Sequence, residues 1–200
     1  MRLLALVARR VLAWDAEQKH AWLVRVGAGL GVRVDGRLVD IGSGSGQLTA
    51  LLRAGGAEVI PVDVVDWALT RGATPLLCAG ERLPFAANSF DLALLASVLH
   101  HVEDSAALLR EAKRVAPVVV VVEDVYRNRP QRWLTLLADS VANASFLGHP
   151  HGNHTVGAWL ALFASLGLAA AAVEERPFLG LFRQALFVLR RDLDSLPVGN

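Results

Sequence analysis

"VDIGSGSGQL", residues 39–48, decides how the rest of the chain is read. Gly42, Gly44 and Gly46 alternate with Ser43 and Ser45 directly after the apolar run "RLVDI", and "GQLTALLRAGG" follows with helical spacing. A strand that turns into a helix through glycines leaves free N–H groups at the helix start, with no Cβ between them and a ligand. In an open α/β sheet such turns lie beyond the carboxyl ends of the strands, where ligands bind. The dinucleotide fingerprint G-x-G-x-x-G needs its third glycine where this chain has Gln47, which argues against NAD and FAD. Asp40 stands just ahead of the turn, and Asp63 closes the next apolar run, "AEVIPVD". A carboxylate at that second place can accept both hydroxyl hydrogens of a ribose.

Outward from the turn the pattern repeats. "RLVDIG", "AEVIPVD", "ATPLLCAG", "FDLALLAS" and "VVVVVED" are uniformly apolar rather than alternating. Such runs belong to parallel strands covered on both faces. Between them lie helical segments: "DWALTRG", which Asp66 could cap, and "DSAALLREAKRVA", with Pro117 after it. Strands alternating with helices predict a doubly wound α/β sheet. Near the end, "PQRWLTLLADSVANAS" and "TVGAWLALFASLG" read as helices, and "LAAAAVEERP" and "FRQALFVLRRD" as a closing pair of strands. Ahead of the first strand, Asp15 and Gln18 resemble a capping box opening a helix through "AEQKHAWLVRVGAGLG". "MRLLALVARRVLAW" reads as an amphipathic helix packed on the domain.

Composition bounds the function. The 200 residues suffice for one domain with a sizeable core, and no linker divides them. A formal charge of +1 gives no basic field for a nucleic acid backbone. The single cysteine, Cys78, excludes an internal disulfide framework and fits a reducing cytoplasm. Mean hydropathy is high at +0.40, yet no apolar run approaches the ~20 residues a spanning helix needs. The arginine-flanked N-terminal run leaves a peripheral membrane contact open.

"VDIGSGSG", "VIPVDVV", "GERLPFAANSFDLALLASVLHHVED" and the late "WLALFASLG" together resemble a class I S-adenosylmethionine-dependent methyltransferase. The similarity is to the small-molecule group that includes the ubiquinone and menaquinone methyltransferases. It implies a seven-stranded, mostly parallel sheet with helices on both faces and an antiparallel C-terminal strand. It also implies one domain over residues 1–200, with a helical segment over 1–30 packing on or covering the site. The cofactor would be S-adenosylmethionine and the partner a small methyl acceptor. Asp40, Gly42, Ser43, Gly44 and Gly46 would hold its methionine part, Asp63 its ribose, and Val64 would lie against adenine. Where the family usually has an acid beside adenine this chain has Ala79, which shifts that contact to Gly80 or Glu81. Ser97, after the fourth strand, falls beside the methionine end. The same fold without catalysis would give a module that only binds the nucleoside cofactor.

On the acceptor side, His101 matches the family's usual histidine, and a neutral imidazole could remove an acceptor proton. "GHPHGNHT" adds His149, His151 and His154. A metal site, an acceptor contact and a solvated loop all remain open there, although no acid or cysteine ligand accompanies the three at a recognised spacing. His101 and His154 are the candidate proton acceptors, and no metal is expected. Glu123 and Asp124, at the end of the fifth strand, either meet the acceptor or bond loop N–H groups.

Overall fold

A computed structural model describes residues 2–79, 82–127, 131, 154–180 and 182–191, with side chains from residue 9 onward. The elements are α1 (Arg2–Leu30), β1 (Arg37–Ile41), α2 (Gln47–Ala54), β2 (Glu58–Asp63), β3 (Leu76–Leu77) and β4 (Leu92–Ala96). A short 3-10 turn at Leu99–His101 leads to α3 (Ser105–Val115) and β5 (Val118–Val125). The chain then forms α4 (Val156–Ser165), β6 (Leu168–Phe178) and β7 (Phe182–Arg191).

The seven strands form one sheet in the order β3-β2-β1-β4-β5-β7-β6. β1 to β5 are parallel, and β7 runs antiparallel between β5 and β6. Strand order reverses between β1 and β4, so the crevice at their carboxyl ends is where an open α/β sheet takes its ligand. The uniform apolarity of the strands follows from burial on both faces. Val39, Ala93, Leu95, Val119, Val121 and Phe187 pack with α3 and α4. Their alternating neighbours Leu38, Leu92, Leu94, Val120, Val122 and Leu186 pack with α1 and α2.

Helix α3 begins at Asp104, whose carboxylate accepts from Ala107 N at 2.9 Å. Thr155 caps α4 through Ala158 N in the same way. Asp91 fixes the approach to β4 by accepting from Arg37 N at 2.8 Å. Among the helices expected near the end, "TVGAWLALFASLG" forms α4, while "PQRWLTLLADSVANAS" lies outside the described residues apart from Gln131.

Three local expectations are corrected. Asp15 opens no helix, because α1 runs unbroken from Arg2 to Leu30. Its carboxylate meets the Lys19 ammonium at 2.6 Å instead of backbone N–H groups. "DWALTRG" is not helical: Asp66 accepts from Ala68 N in a local turn, and Leu69 N donates to Ser45 O at 3.0 Å. The connection is thereby pulled onto the glycine turn before a helical repeat can form. The third strand shrinks to Leu76–Leu77, with Pro75 ahead of it contributing no N–H to a ladder.

The glycine turn depends on backbone geometry that other residues resist. Gly42, Gly44 and Gly46 have φ of 71°, 52° and 72°. A Cβ on Gly42 would strike the Val98 side chain, whereas one on Gly44 would meet only Gly42 O, at 4.0 Å. Gly42→Ala should therefore cost about 2–4 kcal/mol, from left-handed strain plus overpacking. Gly44→Ala should cost about 1–2 kcal/mol, from strain alone. Denaturant unfolding of both variants checks the order, and equal losses would show that the contact with Val98 contributes nothing.

Candidate active site

The carboxyl ends of β1, β2 and β4 bring together Asp40, Gly42, Ser43, Gly44, Gly46, Asp63 and Ser97. The turn is laced to β2: Gly42 N and Ser43 N both donate to Val62 O, at 2.7 and 3.1 Å. Asp63 closes the other side. Its Oδ2 accepts from Gly44 N at 2.9 Å, and its Oδ1 accepts from Val64 N at 2.7 Å. A carboxylate has about four acceptor positions, so both oxygens keep capacity for a diol. Val64, directly after Asp63, is 67% exposed.

The residues present fit an extended polar ligand laid along this edge. Ser43 Oγ and Gln47 Oε1 are buried at the turn with no hydrogen-bond partner among the described residues. Unpartnered buried polar atoms are costly in a finished core, and a ligand here would supply their partners. Gly80 and Glu81, expected near adenine, lie outside the described residues. Cys78 is half-buried, and burial pushes its thiol above the usual range.

Asp40 sits deeper. It is 2% exposed and accepts from Thr49 Oγ at 2.5 Å. Burial pushes its carboxyl up from 3.8 to about 6. The Thr49 donor opposes the shift, and the negative charge of Asp63 adds to it.

Ser97 has φ 59° and accepts from the Lys19 ammonium at 2.8 Å. That ammonium, nearly buried on α1, brings a cation to the end of β4. Sequence reasoning missed it, since only the crossing of α1 over the sheet places Lys19 there; the Asp15–Lys19 spacing of one helical turn was the available signal. Around it, Asp15 also takes Arg176 from β6 at 3.5 Å and Gln184 from β7 at 3.4 Å.

The two acids ending β5 separate onto opposite faces. Glu123 is fully buried and accepts from Val98 N, Leu99 N and His100 Nδ1, at 2.9, 2.7 and 2.5 Å. It organises the turn after β4. His100 is buried with it, and the ring of His101, less buried, lies 3.9 Å from that of His100. Asp124, next in sequence, has a buried Oδ1 with no hydrogen-bond partner among the described residues. His154 pairs with Val125 in a parallel bridge, and its ring stands edge-on to Trp159 at 4.7 Å. His149 and His151 lie outside the described residues. No described helix is long and apolar enough to cross a membrane.

The state of Asp40 gives a pH prediction. Its folded-state pKa lies above the unfolded value, so the native state keeps a proton that the unfolded chain releases between about 4 and 6. The resulting stability is fully present below that window and is lost as pH rises through it, by roughly 2–3 kcal/mol. Asp40→Asn should flatten this slope in denaturant unfolding at pH 4.5 and 7.5. A slope unchanged by the substitution would remove Asp40 from the account.

Residues 39–117 match the family model described as "Methyltransferase domain". The chain is 33% identical over 124 residues to the demethylmenaquinone methyltransferase of Corynebacterium kroppenstedtii, covering 54% of each protein. The chain thus spans about half the length of the curated relatives it matches. In fold it resembles magnesium protoporphyrin IX methyltransferase from Synechocystis with bound SAH, with TM-score 0.64 and 20% identity over 92% of this chain and 84% of that one. It also resembles geranyl diphosphate methyltransferase in complex with SAM, with TM-score 0.67 and 16% identity over 92% and 90%. The glycine turn and the acid after β2 fall within the matched residues, and the strand order is that of these solved methyltransferases, so the chain carries a methyltransferase-domain match on the class I S-adenosylmethionine-dependent methyltransferase fold.

Proposed function

We propose that this protein transfers a methyl group from S-adenosylmethionine to a small, apolar acceptor. The observation that carries the reading is the glycine turn tied to Asp63 through Gly44 N, with Ser43 Oγ and Gln47 Oε1 buried beside it and unpartnered. Asp63 accepts the two ribose hydroxyls, and Val64 lies along the adenine. Gly42, Ser43, Gly44 and Gly46 give the backbone room to receive the methionine part. The ionised form of Asp40 favours its amine, and Ser97 lies at the same end.

Bound S-adenosylmethionine supplies a methyl group already activated by its positive sulfur. The chain's own task is to align an acceptor with that group and exclude water, and proximity alone can lower the barrier by ~7–11 kcal/mol. His101 and His154 stand on the acceptor side as groups able to hold a departing proton. The name of the Corynebacterium relative makes demethylmenaquinone, in its reduced form, the first acceptor to try.

Incubation with methyl-labelled S-adenosylmethionine and reduced demethylmenaquinone should place label in the quinone fraction. Asp63→Ala should weaken cofactor binding at least tenfold, since each hydrogen bond to a charged group contributes about 1.5–3 kcal/mol. Unchanged affinity in that variant would contradict the ribose role, and no stabilisation of the wild type by the cofactor would contradict the function.

A further inference from the structure

Around the end of β5, on the α1 face of the sheet, two cations and two carboxylates are shared unequally. Asp15 takes both cations directly, Lys19 at 2.6 Å and Arg176 at 3.5 Å. It also takes Gln184 Nε2, while Gln184 Oε1 is occupied by Arg176 at 2.6 Å. Asp124 stands opposite Gln184 in the β5–β7 register, and its buried Oδ1 receives nothing from this network. A buried carboxylate oxygen without a donor is an unfavourable arrangement unless a ligand supplies one. Lys19 extends from the same cluster to Ser97, at the methionine end of the proposed cofactor site. The unpartnered acceptor thus lies near a cation that also reaches Ser97.

We infer that Asp124, ahead of His101 and His154, is the acceptor-side base of this enzyme, taking the proton of a hydroxyl-bearing acceptor, a phenol or an enol, while Lys19 faces the oxygen that gains negative charge. The inference rests on the methyltransferase reading above. The O–H bond breaks and its proton passes to the Asp124 carboxylate. The electron pair left on oxygen, or on a carbon conjugated with it, forms the bond to the methyl carbon. The C–S bond breaks as this one forms, and its electron pair stays on sulfur, leaving neutral S-adenosylhomocysteine.

The electrostatics agree. Burial raises the Asp124 carboxyl above the usual carboxylate range. Lys19 on α1 and His100 on the turn after β4 oppose that shift, and Glu123 and Asp15 add to it; Arg176 also faces Asp124 from β6. A base of raised pKa is better matched to a hydroxyl proton than an ordinary carboxylate is. The adjacent Glu123 is not available for this role, since three donors within the fold already occupy it.

The test uses the full chain with methyl-labelled S-adenosylmethionine and 1-naphthol. The naphthol should be turned over. Its rate should rise with pH through a single ionisation above the ordinary carboxylate range. Asp124→Asn should lower kcat by 10²- to 10⁴-fold and abolish that acidic limb, while S-adenosylhomocysteine affinity stays within about twofold. Asp124→Glu, which keeps the carboxylate, should restore part of the rate and the limb. A retained rate and limb in Asp124→Asn would overturn the proposal, as would no turnover of 1-naphthol by a wild type that binds the cofactor. Wild-type protein that does not bind S-adenosylhomocysteine would overturn the methyltransferase reading and this inference with it.

Discussion

The hydrogen bond from Gly44 N to Asp63 Oδ2 joins the two parts of the molecule on which the site depends. It holds a left-handed glycine turn at the end of β1 against the end of the neighbouring strand β2. The Val62 carbonyl, taking Gly42 N and Ser43 N, fixes the same turn one residue earlier. Together they commit backbone N–H groups that would otherwise be free, and leave Ser43 Oγ and Gln47 Oε1 buried without a hydrogen-bond partner among the described residues. The rest of the fold serves this arrangement. The sheet fixes the distance between β1, β2 and β4, the helices bury both of its faces, and the close approach of Val98 to Gly42 allows no side chain at that position.

What could be read in the sequence was what depends on periodicity and on glycine. Uniformly apolar runs such as "VVVVVED", spaced by helical segments, read as strands buried on both faces, and G-x-G-x-G followed by Asp63 at the next strand end reads as a turn that a ligand approaches. The connection from Asp63 to Leu76 was misread, because a potential cap at Asp66 says nothing about competing tertiary contacts. Leu69 N bonds the glycine turn instead, leaving Trp67 64% exposed where a helix was expected. Lys19 was invisible for a related reason: its role depends on how an unbroken α1 crosses the sheet, which no local pattern encodes.

Glu123 and Asp124 illustrate the limit most clearly. Adjacent acids at a strand end look alike in sequence, and either could serve chemistry or structure. Strand alternation sends them to opposite faces. Glu123 finds two backbone donors and an imidazole, and becomes part of the scaffold. Asp124 finds neighbours whose donors are engaged by Asp15 and Gln184, and keeps a buried oxygen with no hydrogen-bond partner among the described residues. Asp40 shares with Asp124 a carboxyl raised by burial, but it has Thr49 as a partner and lies on the cofactor side. Buried carboxyls with raised pKa values are the kind of perturbed group that concentrates at functional sites.

The central claim is that the turn and Asp63 together form a site for S-adenosylmethionine rather than a dinucleotide. Titration calorimetry with S-adenosylhomocysteine and, separately, NAD tests it most directly. The account predicts one saturable site per chain for S-adenosylhomocysteine and no detectable heat of binding for NAD. Saturable binding of NAD, or none of S-adenosylhomocysteine, would contradict it.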